Sequence, residues 1–528
     1  MAPRFRLGID VGGTNTDAVL MDGDQVLAWK KVATGAGAGI TDAIVTAAGA
    51  VLAEAKAAPE QVFAVMLGTT QFTNAVIERR RLNQVAVVRL GAPATTAVPP
   101  MSDWPEDLAA EIGDHHYLLH GGLEFDGREI SPLDEAEIAG VAKDIAAKCI
   151  GSGGIGAVAI TSVFAPLDAD MEHRAEAILR RELPEAAITL SHRIGRIGLL
   201  ERENAAILNA ALSGLADLVL HAFTRAIADL GLEAPLYISQ NDGTLMTAAH
   251  AARYPVLTFA SGPTNSMRGA AVLSGLWDAL VVDIGGTTTD VGLLLDGFPR
   301  EAAVTVEVGG VRTNFRMPDL LALGLGGGSL VHDQGARIGP ESVAFELTEK
   351  ALVFGGDVPT MSDMAVAAGQ MELGDPSKVA KNLHAATALA TANAMVAQAL
   401  DRVRPSAATL PVILVGGGGP LLGGRTIGGG EILRPAHGQV ANAIGASIAM
   451  VGGECDRIFY LDGMSRDDAV ATAKAEAANQ AREAGADAAT IRVVEQDEIP
   501  LSYMPGNATR LRVKVVGDLA QNFLGTAP

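Results

Sequence analysis

The octapeptide DVGGTNTD at Asp10–Asp17 recurs far down the chain as DIGGTTTD at Asp283–Asp290. Six of eight positions are identical, and the Val11/Ile284 exchange is conservative. Each copy ends an apolar run, FRLGI in the first and ALVV in the second. Each is followed by a second apolar run, AVLM or VGLLL, and then by an Asp-Gly turn. Strand, glycine turn, strand is the pattern of a β-hairpin. A dinucleotide-binding glycine turn must open a helix, and a Walker A loop needs Gly-Lys-Ser/Thr before one, so neither applies. The spacing is far too long for a solenoid repeat. The economical reading is a duplicated α/β domain whose two hairpins face each other across a cleft.

Such hairpins have a definite chemistry. Gly12 and Gly13, with Gly285 and Gly286, permit a turn tight enough for backbone N–H groups to approach a phosphate. Thr14 and Thr16, with Thr287, Thr288 and Thr289, add hydroxyl donors. Asp10 and Asp283 stand at strand ends, aimed at the same space. Two carboxylates there repel bare polyphosphate but suit Mg²⁺ and its waters, which bind phosphate oxygens in turn. Asp10 and Asp283 are therefore the expected metal-bearing and catalytic carboxylates. A third cluster, PVILVGGGG, places Gly416, Gly417, Gly418 and Gly419 at the end of a buried strand. A flat base or ribose can lie against backbone there. ANAIGASIA (441–449) reads as a small-residue helix packed closely on a neighbour. Together these features predict an ATP and Mg²⁺ site.

Composition bounds the alternatives. A chain of 528 residues predicts three or four domains. Its formal charge of −21 argues against nucleic acid and anionic membrane surfaces as partners. Hydrophobic residues make up 48% of the chain and charged residues 19%. That balance excludes general disorder. Cys149 and Cys455 make no disulfide framework or CxxC pair and are expected to be buried free thiols. MAPRFRLGIDVGG enters a strand at once, without a signal-peptide apolar region. The run nearest to a membrane span, His384–Leu400, reads as a buried helix, so no membrane span and a cytoplasmic location are expected.

Duplicated phosphate hairpins followed by a glycine-rich adenosine strand resemble the actin, heat-shock-ATPase and sugar-kinase superfamily. Within it, the chain is similar to the A-type, ATP-binding subunit of the hydantoinase/oxoprolinase family. The likeness runs over most of residues 5–450 and is carried by GIDVGGTNTDAVL (8–20), GTTQFTNAVIERR (68–80), ERENAAILNAAL (201–212), SGPTNSMRGA (261–270), VVDIGGTTTDVGLL (281–294), LGGGS (325–329) and PTMSDMAVAAG (359–369). The resemblance implies ATP-dependent opening of a small-molecule cyclic amide, such as a hydantoin or 5-oxoproline, by phosphorylation of the amide oxygen. It implies a large B-type partner subunit, with which many family A subunits work, and because family A subunits are typically longer than this chain, the hydrolytic half is expected from that partner. Oligomeric assembly is expected. Three other uses of the same cleft stay open: a small-molecule kinase, an ATP-driven regulatory subunit, and a carboxylase subunit.

The expected fold is a pair of actin-like (RNase H-like) α/β domains around an ATP cleft. The first spans 1–200 and carries a substrate-side insertion at about 75–200; the second spans 201–453. A small α+β module follows at 454–528. Thr69, Thr70 and Asn74 lie where a strand at 63–68 passes into a helix, and can grip an anion or substrate carbonyl or serve as plain helix caps. Asn241 and Asp242, and Ser261 in a tight turn after a PVLTFA strand, are placed near the cleft, with ordinary turn chemistry as the alternative. His115, His116 and His120 suit a metal only if helical. The segment reads as a strand, followed by a hairpin with Asp126 and Arg128, so ordinary polar histidines are favoured.

Overall fold

Both octapeptides fold as their flanking apolar runs require. In the computed structural model, which describes residues 4–34, 39–149, 154–302, 306–379, 384–406 and 409–520, the chain opens with β1 (Phe5–Val11), β2 (Asn15–Asp22) and β3 (Gln25–Ala33). Residues 1–3 of the leading segment and 521–528 of the expected C-terminal module lie outside the described residues. β1 and β2 are antiparallel, with Asp10 opposite Asp17 and Val11 opposite Thr16. β4 (Val62–Thr69) lies parallel on the other side of β1, setting Gly68 beside Asp10. Leu7 and Ile9 pack with Val51 of the helix Ile40–Ala55 and with the helix Leu199–Asp229. Val19 and Met21 face the helix Ala441–Ile448 instead. The sheet is thus covered on both sides, which explains why its strands read as continuous apolar runs.

The insertion is a sheet of four parallel strands, β5 (Gln84–Ala92), β6 (His116–His120), β7 (Ile155–Ser162) and β8 (Ala187–Leu190), ordered β6-β5-β7-β8. After it, Leu199–Asp229 is, among the described residues, the one helix long and apolar enough to cross a membrane. By length and apolarity it, and not the helix Ala385–Val403, comes nearest to a span. Its apolarity has an internal cause: 67% of its most apolar window is buried in the core.

β9 (Leu236–Ser239) and β10 (Thr244–Thr247) extend the first sheet beyond β4. The second hairpin, β11 (Ala279–Ile284) and β12 (Thr289–Leu295), repeats the register of the first, with Asp283 opposite Asp290 and Ile284 opposite Thr289. The strand Val412–Val415 runs parallel to β11, as β4 does to β1. The duplicated actin-like fold is therefore present, strand for strand, around both elbows.

Residue 200 falls inside the helix Leu199–Asp229, and residue 453 falls inside the strand Met450–Tyr460. That strand pairs with β10, and Ala508–Gly517 and Arg492–Pro500 follow it outward, so the C-terminal region completes the first sheet. Ala469, Ala473, Ala477 and Ala481, four apart on the helix Arg466–Glu483, pack over these strands. The local texture of the C-terminal region reveals strands and a helix but not their pairing partner, β10, which lies far earlier in the chain.

Candidate active site

The two elbows are built alike. Gly12 N–H donates to Asn15 O at 3.0 Å, and Gly285 N–H donates to Thr288 O at 2.9 Å. Among the described residues, the amides of Gly13, Thr14, Gly286 and Thr287 find no protein acceptor. Such amides are free to meet an anion. The elbows face one another: a Cβ on Gly286 would stand 3.9 Å from Thr14 Cγ2.

Asp10 and Asp17 are buried side by side. Asn442 Nδ2 donates to Asp10 Oδ2 at 2.9 Å and to Asp17 Oδ2 at 3.0 Å, and Lys31 Nζ donates to Asp17 Oδ2 at 2.6 Å. Among the described residues, Asp10 Oδ1 has no partner, and neither amide atom of the fully buried Asn265 has one. The two converge over β4: a Cβ on Gly68 would lie 2.5 Å from Asp10 Oδ1 and 2.7 Å from Asn265 Nδ2. Burial, and then the neighbouring Asp17, push the Asp10 carboxyl up to about 7. Burial also raises Asp17 and Asp283, while Ser266 hydrogen-bonds Asp283 and opposes that rise. Asp290 is pushed to about 7 by burial and by Asp283.

These residues fit a divalent cation carrying phosphate. A cation would satisfy the orphaned Asp10 oxygen and offset the mutual repulsion of the carboxylates. Among the described residues no three His, Cys, Asp or Glu side chains converge to cage an ion. Mg²⁺ does not require that, since it keeps waters and takes phosphate oxygens.

Other expected site residues divide. Thr14, Thr287 and Thr288 remain accessible on the elbows. Thr16 is buried and its hydroxyl is engaged by Thr34 at 2.8 Å, so it supports the turn instead of binding phosphate. Gly416 backs the Asp283 carboxylate, and Gly418 N–H donates to Ile284 O at 2.8 Å. A Cβ on Gly417 would meet open space, so of the four glycines this one presents open backbone, and Gly419 starts a short turn. Thr69 is buried and its hydroxyl accepts from Gln71 N–H at 3.2 Å, one residue before the helix N-cap Thr70, whose own side chain makes no capping bond. Thr70 and Asn74 lie beside the first elbow, where a Cβ on Gly13 would be 3.5 Å from Asn74 Nδ2; their helix starts at Gln71, earlier than expected.

Ser261 does not sit in a turn after a strand. Pro255–Thr258 is a short 3₁₀ segment, and Ser261–Ser274 is a helix with Pro263 in its first turn. Proline's missing donor costs nothing there. Ser261 is buried and donates to Thr69 O at 3.3 Å, tying this helix to β4. Asp242 is not at the elbows. It pairs with Lys514 at 2.8 Å on the wall of another cavity; burial works against its charge, but Lys514 and Thr244 outweigh burial and hold it at about 2.

The sequence reading missed Asp17, Asp290, Lys31, Asn265, Ser266 and Asn442. The signal was present for four of them. Asp17 and Asp290 close each octapeptide, Asn265 and Ser266 lie in SGPTNSMRGA, and their helix crosses the one containing Asn442. A Cβ on Gly269 would clash with Ala441 O, and one on Gly445 with Asn265 O, so glycine allows the two backbones to touch. That contact delivers Asn442 to the first hairpin and Ser266 to the second.

The three histidines spread along β6 and its approach. His115 meets Gln84 at 3.3 Å and His120 pairs with Glu137 at 3.1 Å, while Asp126 and Arg128 pair with each other at the surface. Both cysteines are free, but Cys149 is exposed at a helix end; only Cys455 is buried as expected.

Comparison with known proteins identifies the family and the fold. The model of the hydantoinase/oxoprolinase N-terminal region matches residues 6–183, and that of hydantoinase/oxoprolinase matches residues 202–378. Caprolactamase subunit alpha of Pseudomonas jessenii is 27% identical over 398 residues, which is 70% of this chain and 55% of that subunit. The chain thus spans about half the length of the relatives it matches in sequence. The fold matches the crystal structure of the ATP-dependent caprolactamase from Pseudomonas jessenii with a TM-score of 0.75 at 20% identity, covering 99% of this chain and 88% of that one. It matches nucleotide-free acetone carboxylase with a TM-score of 0.68 at 17% identity, covering 99% and 89%. The two family models together take in about two-thirds of the sequence, and the chain belongs to the hydantoinase/oxoprolinase family.

Proposed function

We propose that this chain is the ATP-using part of an amide hydrolase that opens a cyclic amide, a lactam or hydantoin, through phosphorylation of the amide oxygen. The observation that carries the reading is the pair of facing elbows, with the Asp10 oxygen at the end of the first hairpin strand left without a partner among the described residues. The family membership and the lactam-opening relative support it. Nucleotide with Mg²⁺ supplies the phosphoryl group that turns a poor oxygen leaving group into a good one. The chain's own residues do the rest by positioning. The free amides of Gly13, Thr14, Gly286 and Thr287 cradle phosphate oxygens, and Gly417 offers open backbone to the adenosine. Asp10 and Asp283 hold the cation, Asn442 and Lys31 fix the first carboxylate pair, and Ser266 fixes Asp283. This is electrostatic preorganisation, the main resource of phosphoryl transfer. A partner subunit of the B type completes the hydrolysis.

The test is phosphate release from Mg-ATP with a panel of lactams and hydantoins, alone and with a B-type subunit. With an amide labelled by ¹⁸O, the label is expected in inorganic phosphate. Substrate-independent turnover, or a stable phosphorylated product, would overturn the reading and favour a kinase. Dependence on bicarbonate would favour a carboxylase.

A further inference from the structure

A second cavity, of about 1340 Å³, lies between the insertion and the first sheet, away from the elbows. Its wall includes the segments following β7 and β8, Ala165–Ala169 and His192–Ile197. These are the carboxyl ends of parallel strands, where open α/β sheets place ligands. The cavity also carries a prebuilt dyad. His192 Nδ1 lies 2.6 Å from Glu172 Oε2. Glu172 is fully buried, and its other oxygen accepts from Ser162 N–H at 2.9 Å and Ser191 Oγ at 2.5 Å. Arg202 Nε donates to Ser191 Oγ at 2.9 Å and ties the group to the core helix. With Nδ1 committed and the ring packed edge-on against His173, centroids 4.9 Å apart, Nε2 keeps solvent access and has no hydrogen-bond partner among the described residues. On the same wall, Arg196 Nε lies 3.6 Å from Asp456 Oδ2, but Arg196 Nη2 and the Tyr237 hydroxyl are buried without a hydrogen-bond partner among the described residues. Unpartnered donors around one space call for an acceptor.

We propose that this cavity is an acyl-binding site separate from the cleft where phosphoryl transfer takes place, holding the carbonyl of a small amide before that step or the carboxylate that the amide becomes after it, with His192 Nε2 and Arg196 meeting the oxygen. The choice of ligand rests on the amide-hydrolase reading, whereas the site rests on the dyad and the cavity. The spare ring nitrogen, held by a carboxylate that fixes its orientation, is the arrangement used wherever imidazole must meet a ligand in one tautomer.

The full chain, without nucleotide, is titrated calorimetrically with 5-oxoproline, glutamate, ε-caprolactam and 6-aminohexanoate. The expected result is saturable binding of at least one, weakened tenfold or more in His192→Gln and in Arg196→Met, with Mg-ADP affinity unchanged within about twofold. Long-range ¹H–¹⁵N spectra should show a His192 Nε2 shift on ligand addition, which a merely structural histidine would not give. A preference for lactams or for amino acids identifies which acyl form is held. Failure of all four to bind, or equal binding by both variants, overturns the proposal. Because the titration omits nucleotide, that result is separate from failure at the elbows.

Discussion

Asp283 Oδ1 fills the space that a side chain on Gly416 would need, just as Asp10 Oδ1 fills the space over Gly68. In the first half that glycine, Gly68, lies on the neighbouring parallel strand and pairs with Asp10 itself, and in the second Gly416 follows directly after that strand, whose last residue, Val415, pairs with Asp283. Gly416 also has a positive φ, in the left-handed region. That conformation is costly for a residue with a side chain. Gly416→Ala and Gly68→Ala are therefore expected to displace the carboxylates and lower ATP turnover about a hundredfold or more. Gly140→Ala, facing open space on the helix Glu135–Lys148 of the insertion, should leave turnover nearly unchanged. Steady-state phosphate release from the three variants checks this, and equal losses in all three would refute it.

The Asp10 carboxyl is neutralised more readily folded than unfolded, rising from 3.8 to about 7. A raised acid favours the fold only while protonated. Its contribution is complete below about pH 4 and is lost as pH rises through about 7. Without cation and nucleotide, the melting temperature should fall between pH 5 and pH 8, and Asp10→Asn should reduce that fall while abolishing turnover. Mg-nucleotide should restore more stability at pH 8 than at pH 5. Parallel melting curves for both proteins across this range would contradict the assignment.

Asn442 bridges two carboxylates through one amide group. Asn442→Ala strands Asp10 Oδ2, while Asp17 keeps Lys31, at a cost of about 1–3 kcal/mol. Asn442→Asp adds a third negative group to the same space and should depress turnover at least tenfold, with partial recovery at lower pH. Chemical denaturation and rate measurements separate the two effects. An active Asn442→Asp protein at pH 8 would be inconsistent with the bridge.

Arg89 and Glu203 form a fully buried ion pair between β5 and the core helix. Removing one partner, as in Glu203→Leu, should cost about 3–5 kcal/mol, while Arg89→Leu with Glu203→Leu should recover much of it. Denaturant midpoints report this directly. Mg-ADP affinity should stay unchanged, because the pair joins the insertion to the core and touches neither elbow.

The repeated octapeptide determined most of what the site needs. Its glycines, its flanking apolar runs and its aspartates are local properties, and local properties survive in sequence. Hairpin register, strand polarity and the position of Asp10 and Asp283 could be read from them. The partners of those carboxylates could not. Asn442 reaches Asp10 from near the far end of the chain, and Lys514 claims Asp242 from a strand that follows it by half the sequence. The C-terminal strands likewise join a sheet begun at Phe5. Which polar group satisfies which buried charge depends on helix crossings and sheet order. Those are set by packing many segments at once, and no single stretch of chain carries that information.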